Sequence, residues 1–215
     1  MDHMNDQLRA AAIKGDAAQV KAFLLTTDCD AMSKDSSGWT ALMCAAYSGH
    51  LSCVNILIPV SNSLAKDYAG RDALMYATMA EGDACFKLLL PVSDPLAQDH
   101  GGRTALMWAA RGGLTSLIEK LLPVSDALVK DNEEMTALML AAGGGHVSCV
   151  QLLLPVSEPL VPSDDKQTAS DIAFACGHKP LAVFIDAYIL AQKEKLALSS
   201  TIFTATPKKS SSLRM

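Results

Sequence analysis

One tetrapeptide returns at a constant step, and that step dictates the architecture. Thr40-Ala41-Leu42-Met43 is followed by Asp72-Ala73-Leu74-Met75, Thr104-Ala105-Leu106-Met107 and Thr136-Ala137-Leu138-Met139, and a decayed copy begins at Thr168-Ala169. Each step is 32 residues. A second marker keeps the same phase: Ile58-Pro59-Val60-Ser61, Leu90-Pro91-Val92-Ser93, Leu122-Pro123-Val124-Ser125 and Leu154-Pro155-Val156-Ser157. Gly49-His50, Gly145-His146 and Gly177-His178 form a third. A fixed period of this length builds a stacked array of small units rather than one closed core.

Each unit reads alike. Thr40, Thr104 and Thr136 are N-cap residues, and Asp72 supplies the same chemistry. An Ala-rich helix follows, as over Ala41 to Ser48, and Gly49 is placed to end it. Val54, Leu57 and Ile58 fall on one face of a second helix, expected over Leu51 to Ile58. Pro59 cannot continue that helix's hydrogen-bond ladder. An extended stretch leads to Asp67 and the turn Tyr68-Ala69-Gly70.

These features resemble the ankyrin repeat. The match rests on Asp35-x-x-Gly38-x-Thr40-Ala41-Leu42-Met43-x-Ala45-Ala46-x-x-Gly49-His50, then Val54-x-x-Leu57-Ile58. It extends from about Leu8 to Leu190. The resemblance implies an all-α solenoid of helix-turn-helix units with short β-turn fingers. Six units are expected, the first and last degenerate because they cap the array. The first keeps Leu8, Ala11, Ala12, Gly15, Val20 and Leu24. The Thr-Ala-Leu-Met form replaces the family's usual Thr-Pro-Leu-His, so packing by Met stands in for histidine hydrogen bonds. It is similar to arrays expanded in some protists. The turn glycine at Gly38, Gly70 and Gly102 becomes Glu134 and Lys166, which predicts a weaker C-terminal end.

Residues 1–196 are expected to form the array and 197–215 a disordered Ser/Thr-rich tail. The tail is either simply solvated or modified near Thr206-Pro207 or Ser210 to Ser212. Lys plus Arg is 18 and Asp plus Glu 23, a net charge of −5, which disfavours nucleic acid as a partner. No apolar run is long enough to span a bilayer and no secretory signal is visible. The six cysteines include no Cys-x-x-Cys pair, so free thiols in the cytoplasm are expected, with nucleus or cytoskeleton left open.

Sites of chemistry are scarce. His50-x-x-Cys53 and His146-x-x-Cys149 have a ligand-like spacing. Yet Cys53, Cys85 and Cys149 share a column with Leu117, which marks the column as apolar core. The Met column, Met43 to Met139, reads as core too. Asp35, Asp67, Asp99 and Asp131 recur in every strong unit, as turn anchors do and catalytic residues do not. The glycine runs lack the Lys-Ser/Thr of a phosphate loop. No catalytic residue, cofactor or metal is expected.

The family frame implies a protein-binding module that uses its concave face, lined by turn tips and one edge of the first helix. In those variable columns stand Trp39, Tyr47, Tyr68, Arg71, Met79, His100, Arg103, Arg111 and Met135. Trp, Tyr and Arg dominate binding hot spots. The three arginines suggest a positive strip for an acidic or phosphorylated segment beside an apolar anchor. A monomeric scaffold, adaptor or inhibitor is the expected role. A purely structural spacer, or an enzyme with an unrecognised site, is the alternative.

Overall fold

Thr40 lies in extended backbone and its hydroxyl accepts the Met43 amide at 3.3 Å, which starts a helix at Ala41. The computed structural model repeats this cap through the array. Asp72 Oδ1 accepts the Met75 amide at 2.9 Å, and Thr104 and Thr136 do the same for Met107 and Met139. Residues 2–26, 28–80 and 83–204 are described by the structure.

Such caps open the first helix in all but the first of six helix pairs. The pairs are α1 (Asp2–Lys14) with α2 (Ala17–Leu24), α3 (Ala41–Tyr47) with α4 (Leu51–Leu57), and α5 (Ala73–Met79) with α6 (Asp83–Leu89). Then come α7 (Ala105–Gly112) with α8 (Thr115–Leu121), α9 (Ala137–Gly143) with α10 (Val147–Leu153), and α11 (Ala169–Ala175) with α12 (Lys179–Thr204). Among the described residues there is no strand, and the architecture is the expected all-α stack.

The second helix stops one residue earlier than the sequence suggests, at Leu57. The chain then makes one 3-10 turn, Ile58–Val60, with Pro59 near its start. The first residues of a helix have no internal partner for their N–H, so the missing proline donor costs nothing there. Leu90–Val92 and Leu154–Val156 repeat the turn. At the far end, α12 continues to Thr204, eight residues past the expected boundary at 196. The rest of the expected tail, 205–215, lies outside the described residues.

Packing follows from side-chain size. Ala45, Ala77, Ala109, Ala141 and Ala173 are fully buried, and so small a side chain lets neighbouring first helices approach closely. Accordingly α3 packs on α5, α5 on α7, α7 on α9 and α9 on α11. Met43, Met75, Met107 and Met139 fill the same layer, as expected of a core column. Cys53, Cys85 and Cys149 are buried beside Leu117 in a second layer. Burial pushes the Cys44 thiol up to about 12, with Asp35 adding to the effect, so this sulfur is a hydrophobe and not a nucleophile.

Candidate functional site

The turn between units is built on one carboxylate. Asp67 Oδ1 accepts the amides of Ala69 (2.9 Å) and Arg71 (2.7 Å), while the Asp67 amide donates to the Arg71 carbonyl at 2.9 Å. Asp35, Asp99 and Asp131 hold their turns in the same way. The recurrent aspartates are therefore anchors, as the sequence suggests.

Turn tips are then joined to each other. The Tyr68 amide donates to the Ser37 carbonyl at 3.1 Å, His100 to Ala69 at 2.8 Å and Asn132 to Gly101 at 2.9 Å. This ladder fixes where residues 68, 100 and 132 point, and so fixes one face of the array.

The second oxygen of each anchor reaches into that face. Asp67 Oδ2 accepts the Tyr76 hydroxyl at 2.5 Å and the Arg71 guanidinium at 3.1 Å. Burial alone would raise the Asp67 carboxyl. The Tyr76 hydroxyl, the Arg71 and Ala69 amides and the Arg71 charge outweigh it, so the carboxyl sits below its ordinary value. Asp99 Oδ2 accepts Trp108 Nε1–H at 3.2 Å. Asp131 Oδ2 accepts from Arg103 Nε at 3.1 Å, a bond that crosses from one unit to the next.

Above the anchors lies an aromatic cluster. Trp39 is 4.2 Å from Tyr76 and 5.4 Å from Tyr47 between ring centroids, and Tyr47 meets Tyr76 edge-on at 5.9 Å. Arg71 lies over the Tyr76 ring at 5.1 Å. In the next unit, Arg103 and Arg111 flank Trp108 at 5.7 and 5.9 Å. Between the two sets is a notch of about 290 Å³ lined by Thr78, Met79, Trp108, Arg111, Gly112 and Leu114.

Of the residues singled out from sequence, Trp39, Tyr47 and Arg71 meet in one cluster. Met79, Arg103 and Arg111 gather around the neighbouring Trp108. Tyr68 is 66% exposed at its turn tip. His100 is spent largely on the ladder: its carbonyl accepts Asn132 Nδ2–H at 2.9 Å and its ring covers Gly70. Met135 packs against the core. The expected positive strip is not uniform. Arg71 is neutralised by Asp67, and Arg103 by Asp131 and Glu133. Arg111 alone of the three has no ion pair among the described residues.

Two central residues, Tyr76 and Trp108, were not singled out. Their column reads Cys44, Tyr76, Trp108, Leu140, and that variation was the available signal. Around the His-x-x-Cys pairs, as elsewhere among the described residues, no group of three or more His, Cys, Asp or Glu is poised to hold an ion. His50 Nε2–H instead donates to the Ile13 carbonyl at 2.9 Å, and His146 Nε2–H to the Arg111 carbonyl at 3.0 Å. Each histidine seals the end of the preceding unit's first helix. No helix among the described residues is long and apolar enough to cross a membrane.

Comparison with known proteins agrees with this geometry. No curated protein matches the chain. Among solved structures, it is similar to a chain in the complex of the Bd0816 predatory endopeptidase from Bdellovibrio bacteriovorus with immunity protein Bd3460. The TM-score is 0.75 at 26% identity, over 84% of this chain and 96% of that one. The family model for ankyrin repeats, three copies, matches residues 8–99, 78–160 and 106–187. With its capped helix pairs, Asp-anchored turns and 32-residue step, the chain belongs to the ankyrin-repeat family.

Proposed function

We propose that this protein binds a protein partner along its concave face, as a monomeric, non-enzymatic cytoplasmic module that occludes or tethers what it holds. The observation that carries this reading is the aromatic cluster, with Tyr47 still 50% exposed over half-buried Trp39. Rings held by rings and anchors lose little freedom on binding, which is what a hot spot needs. The notch beside Trp108 takes an apolar side chain against Met79 and Leu114. Arg111 at its rim takes a carboxylate or phosphate. The preferred partner is thus an apolar anchor flanked by one acidic or phosphorylated residue. The similar chain belongs to a complex of an endopeptidase with an immunity protein, which favours an occluding role over a passive spacer.

Affinity capture from native lysate with mass spectrometry tests the reading. The intact chain is compared with a Tyr47→Ala, Tyr68→Ala, Arg111→Glu variant, whose three sites are exposed and whose fold is checked by circular dichroism. A partner retained by the first and lost by the second supports the concave face. Equal capture by both rejects it.

A further inference from the structure

The last connector departs from the others. The column that holds Lys34, Lys66, Gln98 and Lys130 ends in Pro162. Lys34 and Lys66 each bond a carbonyl of the next connector, at Lys66 and Gln98. The final unit has no next connector to bond, and the position turns apolar instead of remaining a solvated polar one. Its second helix differs as well. α12 runs 26 residues where α4, α6, α8 and α10 run 7. The excess carries Tyr188, Ile189 and Leu196 alongside Leu154, Leu160 and Pro162, and together they wall a groove of about 790 Å³.

Clefts of about 300–1,000 Å³ with mostly apolar walls are the kind that hold a ligand. Leu160 is 52% exposed and Leu196 68%. The groove lies at the end of the array, where a cap must shield apolar surface from water. Glu158 and Lys193 stand at its rim, one charge of each sign. The apolar walls, not the rim, therefore select the occupant.

The chain that follows α12 carries a matching pair. In residues 205–215 the large apolar side chains are Leu213 and Met215, two positions apart. In an extended chain such residues point the same way, so both enter one groove while Arg214 between them stays in water. Pro207 lacks an N–H and its ring clashes with a preceding helical turn, so it favours a change of direction after α12. The lengths agree. Along α12, Leu196 lies about 12 Å and Tyr188 about 24 Å back from Thr204. From Pro207, extended chain reaches about 20 Å to Leu213 and about 26 Å to Met215. With up to about 10 Å spent on the reversal, the pair arrives between Leu196 and Tyr188.

We propose that the segment after α12 folds back along it and seats Leu213 and Met215 in this groove, as a strap that closes the C-terminal end of the array. The test uses the full chain with Met215→p-benzoylphenylalanine, irradiated, digested and mapped by mass spectrometry. Crosslinks should fall within 154–162 and 188–196 of the same chain. Adding Leu213→Asp, which alters neither wall of the groove, should cut their yield at least about tenfold, the scale of one lost hot spot. A second readout needs no crosslinker. In a Leu213→Asp, Met215→Asp variant, amides over 188–196 should exchange with solvent at least about tenfold faster than in the wild type, because the strap no longer restrains local opening of α12. Absent or scattered crosslinks overturn the proposal, as does a yield that Leu213→Asp leaves unchanged. Crosslinks that join two chains overturn it in favour of a second copy as occupant. Equal exchange in the two proteins overturns it independently.

Discussion

The Asp164 amide lies 3.4 Å from the Glu133 carbonyl, whereas the equivalent bonds between earlier turn tips measure 3.1, 2.8 and 2.9 Å. The long bond falls where the lower turn carries Glu134 in place of glycine. A Cβ on Gly38, Gly70 or Gly102 would stand 2.7, 2.7 or 2.9 Å from the next tip's amide nitrogen. At Glu134 that Cβ is real, and the next turn sits further off. Glu134 and Lys166 also hold φ of 57° and 59°, a region that disfavours side chains by about 1–2 kcal/mol.

Glu134→Gly and Lys166→Gly should therefore stabilise the array, each by about 0.5–1 kcal/mol once the added freedom of glycine in the unfolded chain is subtracted. The Lys130–Glu134 pair lost in the first is exposed, and such pairs contribute about 0–1 kcal/mol, so it trims the gain without reversing it. Thermal unfolding midpoints check this, with an expected rise of about 2–4 °C per kcal/mol for a chain of this size. Hydrogen exchange should show greater protection in the last two units of the variants. An unchanged or lower midpoint would mean that these turns are not strained.

The Tyr76–Asp67 bond predicts a pH signature. The folded Asp67 carboxyl ionises below its unfolded value, so its contribution is full above about pH 4 and is lost as pH falls through the folded value. Tyr76→Phe removes the hydroxyl donor at 2.5 Å and should cost about 1–2 kcal/mol near neutrality. The gap between the two proteins should narrow below about pH 4, where the unfolded carboxyl is protonated. Burial, with Asp67 second, raises the Tyr76 phenol, so wild type should lose more stability than Tyr76→Phe as pH climbs past about 10, on top of the loss both share from the raised Cys44 thiol. Urea midpoints across pH decide it; a gap that stays constant would remove Asp67 from the account.

Arg103 and Arg111 share a ring but not a role. Arg103 spans two units to a fully buried Asp131 side chain, while Arg111 is exposed. Arg103→Glu should cost about 2 kcal/mol or more, because it leaves a buried carboxylate facing a like charge. Arg111→Glu should stay within about 0.5 kcal/mol. Differential scanning calorimetry on the two variants checks the contrast. Equal midpoints would mean that the cross-unit pair is not structural. The comparison also governs any binding assay, since loss of binding by Arg103→Glu reports on folding as well as contact.

The array was legible because periodicity needs no knowledge of tertiary contacts. Thr40, Gly49 and Asp67 announce cap, stop and anchor from local chemistry alone, and recurrence rules out chance. The candidate face was legible only in part. Column variation points to Trp39 and Tyr47, yet the pairing of Arg71 with Asp67 across four residues depends on turn geometry. The bond from Arg103 to Asp131 depends on stacking between units, which residue spacing within one unit does not encode. Trp108 was passed over because its chain neighbours, Met107 and Ala109, are core.

A final test concerns how one unit closes the next. Gly113 has φ of 73°, and a Cβ there would lie 2.5 Å from His146 Nδ1, while His146 Nε2–H bonds the Arg111 carbonyl at 3.0 Å. Gly113→Ala should be costly for two separable reasons, backbone strain and collision with the ring. Gly177→Ala isolates the first, since φ there is 89° and no described atom lies within 4 Å of its Cβ. His146→Ala should cost about 1 kcal/mol through the lost carbonyl partner. In the double variant the collision disappears and only the strain remains, so the combined cost should fall short of the sum by about 1 kcal/mol or more. Denaturant midpoints for the four proteins give this coupling directly. A sum that holds to within error would show that the ring moves aside freely, and that glycine is needed at position 113 for its backbone alone.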